Sequence, residues 1–169
     1  MTEFHGLYQR YAPHVHRWAL FLCGDPALAD DITSETFIRA WTAPGPIREE
    51  TVKAYLFTIA RNLHHDFLRG QRRNSDLDDS IIDRHADTQK RAEVRSELEL
   101  VLGAMQELSE SERAALILRA QEEMSYEEIS IALGLSVTAV KVRIHRARMK
   151  LMQTVKMRMG RKRLPKESL

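Results

Sequence analysis

Thr138, Val142, His145 and Arg146 share one helical face at about 100° per residue, with Lys141, Arg143 and Arg148 beside them. The chemistry such a surface offers is recognition of a polyanion. Lysine and arginine neutralise phosphates, arginine and histidine donate to base edges, and a valine can meet a thymine methyl group. Nothing in that set activates a nucleophile. The other candidates for chemistry, His14 with His16 and His64 with His65, sit on helical faces with no carboxylate at motif spacing, which argues against an acid–base or metal site. The lone Cys23 excludes an internal disulfide and a multi-cysteine zinc site. The expectation is a binding protein without cofactor or metal, not an enzyme.

Positioning the cationic face requires a helix held firmly against the body of the protein, and residues 125–151, SYEEISIALGLSVTAVKVRIHRARMKL, carry the signals for one. Ser125 with Glu128 is a capping box that predicts a helix from about Tyr126. Ile129, Ala132 and Leu133 give it an apolar face, and Gly134 stands where a left-handed stop costs glycine little. Ser136 is the N-cap of a second helix, whose Val140, Ile144, Ala147 and Leu151 form a buried stripe opposite the cationic face. A short glycine-containing turn between two helices, the second basic, predicts a helix-turn-helix with its second helix in a major groove. The plainer reading of this stretch is a helical hairpin with a solvated charged face.

The charge distribution favours nucleic acid. The 169 residues carry a formal net charge of +2, but residues 141–169 hold eleven Lys or Arg against Glu167, a net of +10, leaving −8 for residues 1–140. Such a basic end is the electrostatic footprint of phosphate binding. No basic-then-apolar leader opens the chain and no apolar run approaches the ~20 residues of a membrane span, so a cytoplasmic protein with no membrane insertion is expected.

Upstream, Phe4, Leu7, Tyr8, Tyr11, Val15, Trp18, Ala19 and Leu22 have helical spacing, with Pro13 predicting a kink or an early break and Gly24 closing the helix. Asp25 and Pro26 are an N-cap and a first-turn proline for a second helix running to about Trp41. Its acidic residues Asp30, Asp31 and Glu35 suit the helix dipole, while Phe37, Ile38 and Trp41 make it more apolar than a small helix needs. After Pro44, Gly45 and Pro46, a third helix carries Val52, Tyr55, Leu56, Ile59, Leu63 and Phe67 inward. Arg61, Arg69, Arg72 and Arg73 form a second cationic patch, and Tyr55 and Phe57 are either stacking groups for exposed bases or core.

Residues 74–90, NSDLDDSIIDRHADTQK, contain five Asp and little apolar periodicity, and read as a linker. Fully extended, they would reach roughly 55–60 Å, nearly two turns of duplex at ~34 Å per turn. A fourth helix is predicted over about Arg91–Leu108 with Val94, Leu98, Val101, Leu102 and Met105 inward, and a capping box at Ser109 and Glu112 opens a fifth. No strand pattern stands out. The fold class expected is all-α, two small helical domains joined by a linker.

Two blocks of this sequence resemble the group IV, or extracytoplasmic function (ECF), sigma factors of bacterial RNA polymerase, within the sigma-70 family. LADDITSETFIRAW with YLFTIARNLHHDFLR is similar to the family's sigma-2 pattern, and ELSESERAALILRAQEEMSYEEISIALGLSVTAVKVRIHRARMKL to its sigma-4 pattern. The resemblance implies a sigma-2 domain over 1–73, the acidic linker 74–90, a sigma-4 domain over 91–155 and a basic C-terminal tail from 156 to 169. It further implies a dissociable subunit that binds core RNA polymerase at the β′ clamp and β flap, directs it to promoter DNA and helps to melt the minus-10 element. On that reading Asp30, Asp31, Glu35, Phe37, Ile38 and Trp41 meet the polymerase. Tyr55 and Asn62 hold a flipped minus-10 base, with Arg61, Arg69, Arg72 and Arg73 on phosphates. Arg119, Ser136, Thr138, Ala139, Lys141, Val142, Arg143, His145, Arg146 and Arg148 engage the minus-35 element. The linker would thread a nucleic-acid channel of the polymerase, and an anti-sigma protein would mask the free factor.

The sequence departs from the family pattern at three places. Ser130 replaces a usual alanine and brings a hydroxyl that needs a partner. Ala139 and Val142 stand where hydroxyl residues are usual on the DNA-facing helix, and Pro46, Ile47 and Arg48 replace a common F-R-G before the third helix. The tail MRMGRKRLPKESL lies beyond the pattern, as a disordered phosphate anchor or a solvated end. A helix-turn-helix regulator of the response-regulator output type is the competing function; it leaves the DDITSETFIRAW helix without a role.

Overall fold

Seven helices account for nearly all the residues that the computed structural model describes, which are 2–45, 47–48, 51–75 and 94–162. They are α1 Thr2–Cys23, α2 Pro26–Thr42, α3 Val52–Ser75, α4 Val94–Gln106, α5 Glu110–Ala120, α6 Tyr126–Leu133 and α7 Val137–Lys162. Among the described residues there is no strand, and no helix is long and apolar enough to cross a membrane. The all-α expectation holds. Most of the acidic linker 74–90 lies outside the described residues.

The helix ends follow the capping residues. Asp25 accepts from the amides of Ala27 and Leu28 with Pro26 at the first turn of α2. Ser109 and Ser125 each form the complete reciprocal capping box, with Glu112 and Glu128. Gly134 ends α6 at φ 62° and ψ 37°, the left-handed geometry only glycine adopts at little cost. The Ser136 hydroxyl accepts from the Ala139 amide at 3.1 Å to start α7. Ser130 finds its partner in the Leu135 carbonyl, across that same turn.

Three helices make the first unit. α1 contributes Val15, Trp18 and Leu22, α2 contributes Leu28, Ile32 and Ala40, and α3 contributes Leu56, Phe57 and Ala60, all buried. Trp18 and Phe57 meet edge to face at 5.5 Å. Phe57 is therefore core and not a stacking group for bases. Thr33 and Thr36 are buried on α2 and return their hydroxyls to the carbonyls of Ala29 (2.7 Å) and Ile32 (2.6 Å), which removes the cost of burying them. α1 runs unbroken through Pro13, which is exposed, so water can serve the carbonyl that the missing amide leaves free.

The second unit packs α4, α5 and α6 around α7. Leu118, Met124, Ile129, Leu133, Val140, Ile144 and Ala147 fill its centre. Two expectations for α4 are corrected. It stops at Gln106, because the Glu107 and Leu108 amides turn back to the carbonyls of Ala104 and Met105 at 3.2 Å, and Val101 is 37% exposed, against the inward position expected of it. Met105 is buried and Leu102 half-buried as expected, Ala104 joins them, and the side chains of Val94 and Leu98 lie outside the described residues. α7 runs on to Lys162, past position 155, the expected boundary between the sigma-4 domain and the tail, with Thr154 and Arg158 bonded to Glu107.

Candidate nucleic-acid interface and helix-docking face

On α7, Thr138, Lys141, Val142, His145, Arg146 and Arg148 are exposed together, opposite the buried Val140, Ile144 and Ala147. Val142 is 41% exposed at the middle of this face. Three neighbours are held by protein contacts. The Arg143 Nε donates to the Ser111 hydroxyl at 3.1 Å, which ties α7 to α5 and leaves the side chain half-buried. Arg119 donates to the Met124 carbonyl at 2.9 Å and lies 4.7 Å from the Tyr126 ring centroid. Lys141 approaches the same ring at 5.4 Å. Tyr126 thus orders two cations beside the start of α7 through its ring quadrupole. Sequence reasoning missed it, although an aromatic residue directly after a helix N-cap, among cations, was the available signal. Ser136 serves as N-cap, and Ala139 is half-buried beside it.

The second cationic patch is less uniform. Asn62 is exposed at the middle of α3 and Arg69, Arg72 and Arg73 along its last turns, with Arg69 paired to Asp66. Tyr55 and Arg61 are half-buried. Arg61 points toward the second unit, its Nη1 only 3.6 Å from where a β-carbon at Gly134 would stand. Of the loop that precedes α3, Ile47 and Arg48 are described and Pro46 lies outside the described residues.

A different surface lies on α2. Ile38 and Trp41 are each 55% exposed, large apolar side chains with no core to fill. Asp31 is exposed, Asp30 pairs with His16 at 2.9 Å, and Glu35 pairs with Arg39 at 2.9 Å. Phe37 is a correction to the polymerase-facing set. One helical step from Ile38 turns it inward to 2% exposure, against Phe4 and Tyr8, so it supports the face from beneath. Phe4 also packs edge-on to Trp41 at 4.4 Å, holding that indole in place. A cleft of about 440 Å³ between α1 and α2, lined by Tyr8, Gln9, His16 and Asp30 among others, borders this surface.

The histidines do have acidic partners, supplied by the tertiary fold. His14 meets Glu122 at 2.7 Å and His65 meets Glu110 at 3.1 Å. These are pairs, and among the described residues no group of three or more His, Cys, Asp or Glu could hold a metal ion. Burial raises the Glu110 pKa, but hydrogen bonding from His64 and the charge of His65 outweigh it and hold the carboxyl below its ordinary range. Burial acts likewise on Glu112, and Lys150, at 2.9 Å, with the Ser109 amide brings it below the usual value. Cys23 is pushed up by burial and stays a thiol.

These two surfaces fall inside two family matches. Residues 7–74 match Sigma-70 region 2, and residues 98–151 match Sigma-70, region 4. The chain is 32% identical to the ECF RNA polymerase sigma factor SigM of Bacillus subtilis, over 86% of this chain and 90% of that protein. It is also 32% identical to the ECF RNA polymerase sigma factor SigL of Mycobacterium tuberculosis, over 83% and 82%. Among solved structures, it is similar to the sigma factor RpoE of Bartonella quintana in complex with the anti-sigma factor NepR, with TM-score 0.76, 27% identity, and coverage of 92% and 98%. CnrH in complex with the cytosolic domain of CnrY is similar at TM-score 0.66, with 28% identity and coverage of 91% and 88%. Both matched regions in one chain, in this order, identify more than a DNA-binding module: the chain belongs to the ECF RNA polymerase sigma factors, within the sigma-70 family.

Proposed function

We infer that this chain, acting in a bacterial cytoplasm, joins core RNA polymerase through α2, reads a minus-35 element with α7 and captures the melting minus-10 element with α3. The observation that carries this reading is the coexistence of two unlike exposed surfaces on one chain. The α2 face offers Ile38 and Trp41 beside Asp31, suited to a protein helix with basic residues. The α7 face offers Lys141, Val142, His145, Arg146 and Arg148 to a major groove. A helix-turn-helix regulator needs only the second.

In this scheme Thr138, Val142, His145 and Arg146 meet base edges. Lys141, Arg148 and Arg119 meet phosphates, while Ser136, Ala139 and Arg143 fix the angle of α7. Asn62 and Tyr55 receive the flipped base, with Arg61, Arg69, Arg72 and Arg73 along the backbone. Asp30 and Glu35, now paired with His16 and Arg39, exchange those partners for basic groups of the polymerase clamp, and α4–α5 offers a site for the flap. Division into 1–73, a linker 74–90, 91–155 and a tail 156–169 belongs to the same proposal. So does an anti-sigma protein, the kind of partner that RpoE has in its solved complex.

The test is transcription from a genomic template library with core enzyme, with and without the chain, alongside co-purification with core polymerase. Start sites that depend on the chain are expected. Their absence, or failure to retain core enzyme, would overturn the reading.

A further inference from the structure

Glu122 lies in the turn between α5 and α6, yet its side chain is fully buried. Three basic side chains from the first unit converge on it. His14 Nδ1 stands 2.7 Å from Oε2, Arg17 Nη2 donates to Oε1 at 2.9 Å, and Lys53 Nζ donates to the Glu122 carbonyl at 3.0 Å while lying 3.7 Å from Oε2. A buried carboxylate without such partners is costly, so Glu122 has a low-energy environment here only while the first unit is closed over it. Other bonds cross the same boundary. Arg113 of α5 donates to the Leu22 carbonyl, Gln106 Nε2 donates to the Phe21 carbonyl at 3.2 Å, and Glu110 meets His65. The buried apolar residues of both units form one continuous cluster.

This closure conflicts with reading two promoter elements at once. Arg61 of α3 abuts Gly134, two residues before the N-cap of α7, so α3 is packed against α6 and the turn that leads into α7. Elements named for positions 10 and 35 are about 25 base pairs apart, more than two helical turns of ~34 Å each. The closed arrangement cannot span them. It is also built to yield. Arg17 Nε and Arg113 Nε are buried along the boundary without hydrogen-bond partners, each a cost that opening removes.

We propose that the closed arrangement is a self-locked form of this chain, and that the Glu122 cluster with His14, Arg17 and Lys53 is the clasp that must release before both surfaces engage polymerase and promoter. The functional half of this statement rests on the sigma-factor reading above; the clasp itself does not. Only the open fraction binds, so the closed form lowers apparent affinity by that fraction.

The test uses the full chain in a C23S background, with nitroxide labels on Q71C and Q153C, both exposed and outside the clasp. Pulsed dipolar spectroscopy should give one narrow distance for this parent. R17Q/K53Q, whose side chains are 42% and 33% exposed and lie outside the core of the first unit, should give a broad population at longer distance, as should E122Q. A broad distribution in the parent, or a parent-like distance in R17Q/K53Q, overturns the clasp; should E122Q not fold, R17Q/K53Q alone decides. In core-dependent run-off transcription, the half-saturating concentration of R17Q/K53Q should fall by about 3- to 10-fold. An unchanged value beside a lengthened distance overturns the claim that closure competes with function. A narrow parent distance with no core-dependent transcription supports the clasp and removes the promoter reading instead.

Discussion

A single helical step separates Phe37 from Ile38, and their fates differ completely. Phe37 is 2% exposed and Ile38 55% exposed, although both look equally apolar in the sequence. The exposed pair Ile38 and Trp41 should therefore carry most of the polymerase contact, as large apolar residues do at interface centres. Trp41→Ala is expected to weaken core binding about 10- to 100-fold, or ~1.4–2.8 kcal/mol, in a fluorescence titration with core enzyme, with thermal unfolding little changed. A parent-like affinity would remove α2 from the interface. Val142, exposed at the centre of the α7 face, cannot donate a hydrogen bond and suits a thymine methyl. Val142→Ser should change the base preferred at one minus-35 position in a binding-site selection, and unchanged selectivity would sink that contact. The same scale explains a limit on what the sequence told. Arg143 and Arg119 matched cationic positions, but only the fold shows the Ser111 hydroxyl and the Tyr126 ring that hold them.

At the level of elements, legibility tracked how local the cause was. Both capping boxes and the left-handed Gly134 are written within four residues, and the structure has them as read. The turn from Gln121 to Ser125 carries no such signature. There Glu123 adopts φ 54°, a left-handed conformation with no glycine to relieve it. It is tolerated because neighbours on both sides are pinned, Glu122 by His14, Arg17 and Lys53 and Met124 by burial and the Arg119 bond. Glu123→Gly should accordingly stabilise the chain by about 0.5–1 kcal/mol, the relief of strain less the entropy glycine loses, and raise the unfolding midpoint by ~1–4 °C in calorimetry. A lower midpoint would mean the Glu123 side chain contributes something its conformation conceals. Ser125→Ala, at a cap, should act oppositely and cost about 1 kcal/mol.

For the whole molecule, nothing in the sequence announced that the two units close on one another. His14 has no carboxylate at motif spacing, Arg17 and Lys53 belong to no motif, and their common acceptor lies 69 to 108 residues away, beyond any periodicity. Charge pairing across such a span is decided by the fold, and it makes the assembled chain acid-sensitive in a defined direction. Glu110 and Glu112 both have carboxyls held below the ordinary value of 4.5, the first by His64 and His65 across the unit boundary, the second by Lys150 within the second unit. A carboxyl with a lowered folded-state pKa stabilises the fold above its unfolded value and loses that contribution as pH falls through the folded one. Stability should therefore be level near neutrality and decline once pH drops below about 4.5–5. Glu110→Gln should flatten that decline, because the neutral amide cannot take up the proton, and the spin-label distance across the boundary should broaden at neutral pH. Glu112→Gln should flatten the decline equally while leaving the distance narrow, since its partner Lys150 belongs to the same unit. If both variants broadened the distance alike, acid would be acting on the second unit as a whole and the boundary would have no electrostatics of its own.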